Sequence, residues 1–200
     1  MPIPANVKSD IGSYHFSANK ELYEIQRSNN FEFQIDPSLA RGLTAYGNDN
    51  KTFPNAQEMI RLSVSASSVP HFQQTPIEVR RGNTAVKYAG VISYPSGSLE
   101  CYDFIGAETK DILMAWQAKS GNPEKQIVGQ QKDYKYTAWL SEYTPDYTVR
   151  VRTWRLDGCW ISNIDEDQFS ADNGNSARRI RCTIEYDRAI VESYNEVINA

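Results

Sequence analysis

The sequence predicts a mainly β fold: an antiparallel β-sandwich or partly open barrel with one packed α-helix at about residues 107–120. Three observations carry this. Ile and Val together outnumber Leu by 27 to 8, and Tyr alone occurs 12 times, a β-branched and aromatic bias that suits pleated, half-buried surfaces. Period-2 alternations bounded by turn residues recur along most of the chain. Only one stretch carries a sustained helical stripe. A chain of 200 residues and 22.7 kDa buries about 70% of its unfolded surface as one domain, so it needs no metal or disulfide to fold. The expected organisation is an amino-terminal arm (1–30), a β domain (31–191) containing a long loop (36–58), and a carboxy-terminal tail (192–200).

Residues 1–30 are polar, with weak apolar spacing at Leu22, Tyr23 and Ile25. Phe31-Glu32-Phe33-Gln34-Ile35 alternates cleanly and stops at Asp36-Pro37, a first strand. From Asp36 to Glu58 turn formers dominate (Gly42, Gly47, Asn48, Asn50, Pro54, Asn55) without periodicity. A connection of that length without structure of its own is usually functional or disordered, so a contact loop is expected. Ile60, Leu62, Val64 and Ala66 alternate with Arg61, Ser63 and Ser65 as a second strand. Ile77 and Val79, the turn pair Gly82-Asn83, then Val86 and Tyr88 describe a hairpin over 76–94. Leu99, Cys101 and Asp103 interleave with Glu100, Tyr102 and Phe104, a strand apolar on parts of both faces and therefore placed inside the structure.

Thr109, Ile112, Leu113 and Trp116 fall at i, i+3, i+4 and i+7, the stripe of an amphipathic helix. Glu108 and Asp111 at its start and Lys119 at its end suit the macrodipole, and Ser120-Gly121 with Pro123 supplies the stop. Tyr134, Tyr136 and Ala138 then alternate with Lys135, Thr137 and Trp139. Val149, Val151 and Thr153 alternate with Arg150, Arg152 and Trp154 and run into Asp157-Gly158, a strong hairpin signal. Cys159 to Ile164 is expected to return beside them. After the polar stretch 165–175, Ile180, Cys182, Ile184 and Tyr186 form the last expected strand.

Composition and motifs exclude more than they assign. The formal charge of -4 and pI near 5.3 argue against a duplex-DNA binder, which carries a basic excess or face. No run approaches the ~20 apolar residues of a membrane span, so no membrane partner is expected. Met1-Pro2-Ile3-Pro4-Ala5-Asn6 lacks the basic and apolar regions of a secretory signal. Cys101, Cys159 and Cys182 are odd in number, far apart and set in apolar alternations, which reads as buried thiols in a reducing cytoplasm. His15 and His71 have no neighbouring ligands at metal spacing. Asp165-Glu166-Asp167 with Asp172-Asn173-Gly174 lacks the ligand order of a calcium loop. Nucleophile elbows and phosphate loops are absent. No catalytic, cofactor-binding or metal-ligating residue is therefore assigned, no cofactor is expected, and the chain is expected not to be an enzyme.

Arg150, Arg152 and Arg155 with Trp154, and Arg178, Arg179 and Arg181, are the two basic clusters. Single-strand binders combine arginine with aromatic stacking, but on alternating strands these cations are expected to pair with acidic residues across strands or subunits. Trp116 and Trp160 lie in apolar patterns and are expected in the core. An assembling or binding protein is the reading that remains. Tyr134, Tyr136, Tyr143 and Tyr147 suggest a monomeric glycan-binding module as the alternative, and Asp165 with Asp167 a hydrolase as a third.

The order of elements resembles the tail tube proteins of contractile-tailed bacteriophages. The likeness covers residues 58–190. It rests on Leu62-Ser-Val-Ser-Ala-Ser-Ser-Val-Pro70 through the hairpin to Val86-Lys-Tyr-Ala-Gly90, then the strand and the Trp116 helix. It closes with Trp154-Arg-Leu-Asp-Gly-Cys-Trp-Ile-Ser-Asn-Ile164 and Arg181-Cys-Thr-Ile-Glu-Tyr-Asp187. The resemblance implies a virion structural protein made in the host cytoplasm. Its copies would form six-fold rings whose strands continue into one closed inner barrel and stack into a tube. Sheath, baseplate and tape-measure proteins would be partners, with DNA passing through the lumen without specific binding; the tube of a related secretion or injection machine is the near alternative. Residues 36–58 and the 76–88 hairpin are the expected ring-to-ring contacts.

Overall fold

The computed structural model describes residues 25–106, 108–165 and 177–198. His15, Ala107, Glu166, Asp167 and Asp172-Asn173-Gly174 lie outside them, as does most of the expected arm. In chain order the elements are β1 (Phe31–Ile35), α1 (Pro37–Arg41), β2 (Thr44–Ala45), β3 (Asn48–Thr52), α2 (Ala56–Ser63), β4 (Val64–Ser67), β5 (Gln73–Gln74) and β6 (Ile77–Arg81). Next come β7 (Thr84–Tyr88), β8 (Ile92–Ser93), β9 (Gly97–Tyr102), α3 (Thr109–Ser120), β10 (Gly121–Asn122), β11 (Ile127–Val128) and α4 (Gln131–Tyr134). The last four are β12 (Tyr136–Tyr143), β13 (Val149–Ile164), β14 (Arg179–Glu185) and β15 (Arg188–Val197).

The architecture turns on β13. Its first half lies between β12 and β15, and its second half pairs with β14. One antiparallel sheet is thereby bent into two four-stranded halves, β1-β12-β13-β15 and β13-β14-β9-β4. The bend is at Gly158, which adopts φ +71, the left-handed region that glycine enters without a Cβ clash. The ladder to β12 slips register here, between the pairs Tyr136↔Cys159 and Ala138↔Leu156. The hairpin expected at Asp157-Gly158 is therefore not formed. Cys159 and the following residues continue forward because β14 offers Ile184 opposite Ile161, while β15 occupies the edge beside Val149–Asp157. The glycine serves a bulge rather than a reversal.

The inner faces of the two halves meet in the core. Phe33 and Ile35 (β1), Ala138 and Leu140 (β12), Leu156, Cys159 and Ile161 (β13), Ile180, Cys182 and Ile184 (β14), and Leu99 and Cys101 (β9) are all buried. The helix expected at about 107–120 is α3, and it closes this core with Ile112, Leu113, Ala115 and Trp116. Trp116 is 1% exposed.

The stretch 36–58 departs from expectation. It is not a contact loop: α1, the β2–β3 hairpin and the start of α2 lay Leu39, Ala40, Leu43, Ala45, Phe53 and Ala56 into the core. Asp36 caps α1 by accepting from the Ser38 amide at 2.7 Å. Each element is too short to show a period, which hides the pattern. The strand expected through Ile60 and Leu62 is the last turn of α2, and only Val64–Ser67 is extended. Ala56, Met59, Ile60 and Ser63 share one helical face, with Ala56, Ile60 and Ser63 buried, while Leu62 points out. Tyr134 ends a helical turn rather than starting a strand. Residues 192–197, expected in a tail, extend β15 along β13.

Candidate assembly surfaces

The β1-β12-β13-β15 half has one face in the core and one outside. Alternation puts Glu32 and Gln34 (β1), Trp139 and Ser141 (β12), and Thr153 and Arg155 (β13) on the outer face, opposite the buried Phe33, Ile35, Ala138, Leu140 and Leu156. Glu32, Ser141, Thr153 and Ser193 sit directly opposite one another across the four strands. The cations of this face are neutralised in place. Arg155 meets Asp157 at 2.9 Å and Glu192 at 3.4 Å, and Arg150 meets Glu196 at 3.2 Å. Glu32 takes hydrogen bonds from the Tyr143 hydroxyl at 2.6 Å and from Arg61 at 2.9 Å. Burial works against its charge, yet the bonds from Tyr143, Gln34 and Arg61 hold its carboxyl below the usual value.

The expected cross-strand pairing of the arginines is what the structure shows. Arg152 approaches Glu142 at 3.8 Å and lies over the rings of Trp154 and Tyr194. In the second cluster Arg178 bonds Asp103 at 2.8 Å and Arg181 bonds Glu100 at 3.2 Å. Neither cluster presents the run of uncommitted cations that would track a phosphate backbone.

This half also ends in two unpaired edges. Among the described residues β1 pairs only with β12, and β15 only with β13. Beyond β1 lies a groove of about 720 Å³, lined by Asn30, Phe31, Val64, Ala66, Val69 and Leu140, whose far wall is β4, another strand with one free edge. Unpaired N–H and C=O rows are templates for another strand.

The expected hairpin over 76–94 forms and stands clear of the body. Every residue from His71 to Ala89 is exposed, and among the described residues β5 to β8 pair only with one another. Ile77 faces Tyr88 and Val79 faces Val86 on one side of the arm, while Glu78 and Lys87 form a 3.2 Å ion pair on the other. Gly90 pinches the arm's base, where any side chain would collide with the Thr75 carbonyl. Among the described residues nothing covers the apolar side of the arm.

Burial raises the Cys101 and Cys159 thiols to about 12 and raises Cys182 as well, so none is a ready thiolate. His71 is exposed, and among the described residues no group of three His, Cys, Asp or Glu could hold a metal ion. The Asp165 amide donates to the Arg181 carbonyl and its carboxylate accepts from Asn163. The four tyrosines do not make one platform: Tyr143 is buried beside Tyr147, and Tyr134 packs edge-on against Trp160 at 5.4 Å. No helix among the described residues is long and apolar enough to cross a membrane.

No protein family and no curated protein matches the chain by sequence. Solved structures do match it. A chain of the tube-terminating cap of the anti-feeding prophage is 15% identical with a TM-score of 0.59, over 86% of this chain and 93% of that one. A chain of the sheath–tube complex of an extracellular contractile injection system, PVC, in its extended state is 16% identical with a TM-score of 0.59, over 88% and 97%. A chain of the sheath/tube terminator of the same system gives 16% and 0.60, over 86% and 99%. The chain has the fold of contractile-system tube proteins. In the tube fold the polar sheet face, the two free edges and the arm are the surfaces that the core leaves over. Sequence reasoning reached the arm through its Gly82-Asn83 turn. It did not reach the edges, because pairing partners are not written in local periodicity, and it placed Phe104 inside the structure by alternation, whereas β9 ends at Tyr102 and Phe104 and Ile105 are exposed.

Proposed function

We propose that this chain is a structural subunit of a hollow tube, built as six-fold rings that stack inside a contractile sheath. The observation that carries the proposal is the four-stranded half with a neutralised polar outer face and unpaired strands at both ends. Joining β15 of one copy to β1 of the next, in the groove beside β4, continues the sheet from copy to copy. A closed ring of such sheets has no edge left to aggregate. The core, α3 and the second half then sit outside, and the face bearing Gln34, Trp139, Ser141, Thr153 and Arg155 lines the lumen. Because its arginines are held by Asp157, Glu192 and Glu196, a polyanion slides past without being trapped. That suits DNA passage in a bacteriophage tail, with the subunit part of the virion and baseplate, sheath and tape-measure proteins as neighbours. The tube of an injection machine uses the same surfaces with a different cargo. Both the tube-protein fold and the earlier resemblance support this reading, and the scattered tyrosines remove the ground for a glycan module.

The test is negative-stain electron microscopy over a concentration series, with and without preformed tube seeds, alongside sedimentation velocity. Rings with a central channel and six-fold symmetry are the expected result. A monomer under every one of these conditions overturns the proposal.

A further inference from the structure

The aligned rows of the β1-β12-β13-β15 half include one that the core does not use. Phe31 stands opposite Glu142, Glu142 opposite Arg152, and Arg152 opposite Tyr194. An acid–base pair is thus flanked by an aromatic ring at each free edge. The row belongs to the inner face, because Phe31 alternates with the outward Glu32 and Tyr194 with the outward Ser193. Phe31, Glu142 and Arg152 join Val64, Val69 and Leu140 in the lining of the groove of about 720 Å³ between β1 and β4.

That groove fits an occupant of particular chemistry. Its lining is largely apolar, yet it holds the Glu142 carboxylate, whose side chain is 17% exposed. Trp154 Nε1 donates to Oε1 at 3.0 Å, and Arg152 approaches the same oxygen at 3.8 Å. Oε2 receives no hydrogen bond among the described residues. A carboxylate oxygen held out of water without a donor costs free energy. The matching group is an apolar body with a donor at its tip, which describes a tyrosine. β15 presents one on its free edge. Tyr194 is 66% exposed, its ring meets Arg152 at 6.0 Å, the outer limit of a cation–π approach, and its hydroxyl has no partner among the described residues. Within one copy Arg152 stands between Tyr194 and Glu142, so the two do not meet.

Between copies they do. Each pairing in the half is antiparallel, so β1 and β13 run one way and β12 and β15 the other. Rotation about a tube axis preserves strand direction, and β15 of one copy therefore meets β1 of the next antiparallel. The inner face must continue across the joint, which sets Tyr194 beside the neighbour's Phe31 rather than its Glu32. With the row running on level, the neighbour's Glu142 lies two strand spacings away, about 10 Å, a gap that the two side chains bridge from either end. We propose that Tyr194 anchors the side-by-side contact, its ring seated in the next copy's groove against Phe31 and its hydroxyl donating to Oε2 of that copy's Glu142. This rests on the tube reading and names the side chain that selects the partner edge. Backbone pairing alone accepts any free strand, whereas an apolar groove with one open acceptor accepts β15.

The experiment uses the full chain with Tyr194→Ala, which removes the anchor, or Ala66→Trp, which fills the groove that Ala66 lines. Both positions are exposed, so each variant is expected to melt like the unassembled parent. In sedimentation velocity each variant alone is expected to need a concentration about thirtyfold higher to form rings, as on loss of an interface hot spot. Their equal mixture is expected to give heterodimers where each alone is a monomer, because one intact Tyr194 then faces one intact groove. Tyr194→Phe is expected to raise the ring-forming concentration about tenfold, the usual contribution of a hydrogen bond to a charged group. Rings at the parent concentration from Tyr194→Ala, or a mixture that associates no better than its components, overturn the proposal and leave the tube reading standing. Parent-like assembly of Tyr194→Phe overturns the Glu142 contact. An absence of rings in the parent protein overturns both readings.

Discussion

Gly158→Ala tests the reasoning about the bend most directly. The residue holds φ +71 at the point where β13 passes from one half of the sheet to the other, and a non-glycine L-residue in that region costs about 1–2 kcal/mol. A Cβ there would also run into the Asp187 carboxylate. Asp187 can rotate away, since its side chain is 54% exposed, but rotation gives up the Lys135 ammonium, now bonded to both carboxylate oxygens at 2.7 and 2.8 Å. An ion pair so exposed contributes up to about 1 kcal/mol. Together the substitution should destabilise the protein by about 2 kcal/mol, or about 4–8 °C in melting temperature for a chain of this size. Thermal unfolding is to be measured at a concentration where the protein is unassembled, because association raises the apparent value. Gly158→Asn should cost less, since Asn enters the left-handed region more readily. In the Asp187→Ala background, Gly158→Ala should retain only the backbone part of its cost. A Gly158→Ala protein as stable as the parent would refute the assignment of the bend to this glycine.

Three further outcomes follow from the same packing. Trp116→Ala should cost about 3–5 kcal/mol, the range for large aromatic truncations in cores; an unchanged denaturation midpoint would take α3 off the sheet. Replacing residues 40–55 with a Gly-Ser linker should abolish cooperative unfolding, because Leu43, Ala45 and Phe53 leave the core with it; a native circular-dichroism melt would contradict their placement. Glu32 has a folded pKa below its ordinary 4.5, so its charge contributes stability that is complete above about pH 5 and is lost as pH falls through the folded value. Glu32→Gln should flatten that acid-side loss in urea titrations between pH 6 and 3, and an identical slope in the variant would exclude the effect.

Legibility from sequence followed the length and regularity of each element. Phe31–Ile35, the Ile77–Tyr88 hairpin, Thr109–Ser120 and Arg179–Glu185 were readable because each repeats its pattern through at least two periods. Residues 36–63 were not. Leu39 and Ile60 enter one core from two short helices, and Leu43 and Phe53 from the residues flanking the β2–β3 hairpin, so their spacing follows the path of the chain and not a helical or extended period. Ile60-Arg61-Leu62-Ser63-Val64 fits a strand template as well as a helix end, and the burial of Ile60 and Ser63 through tertiary contacts decided between them. Asp157-Gly158 shows the same limit at a turn motif: a local preference for reversal lost to β14 and β15 waiting along the outgoing path. The free edges were invisible because each depends on what fails to pair, which only the assembled topology reveals.

The unbroken course of β13 has a mechanical consequence. Sixteen residues of one strand are stitched on one edge to β12 and on the other to β15 and then β14. A pull along β13 therefore strains many hydrogen bonds together in shear, instead of parting them one at a time as when a hairpin is peeled open. Force entering at β15 travels through β13 and β14 to β9 and the root of the arm without crossing a loose connection. The chain is therefore braced against a pull along β13.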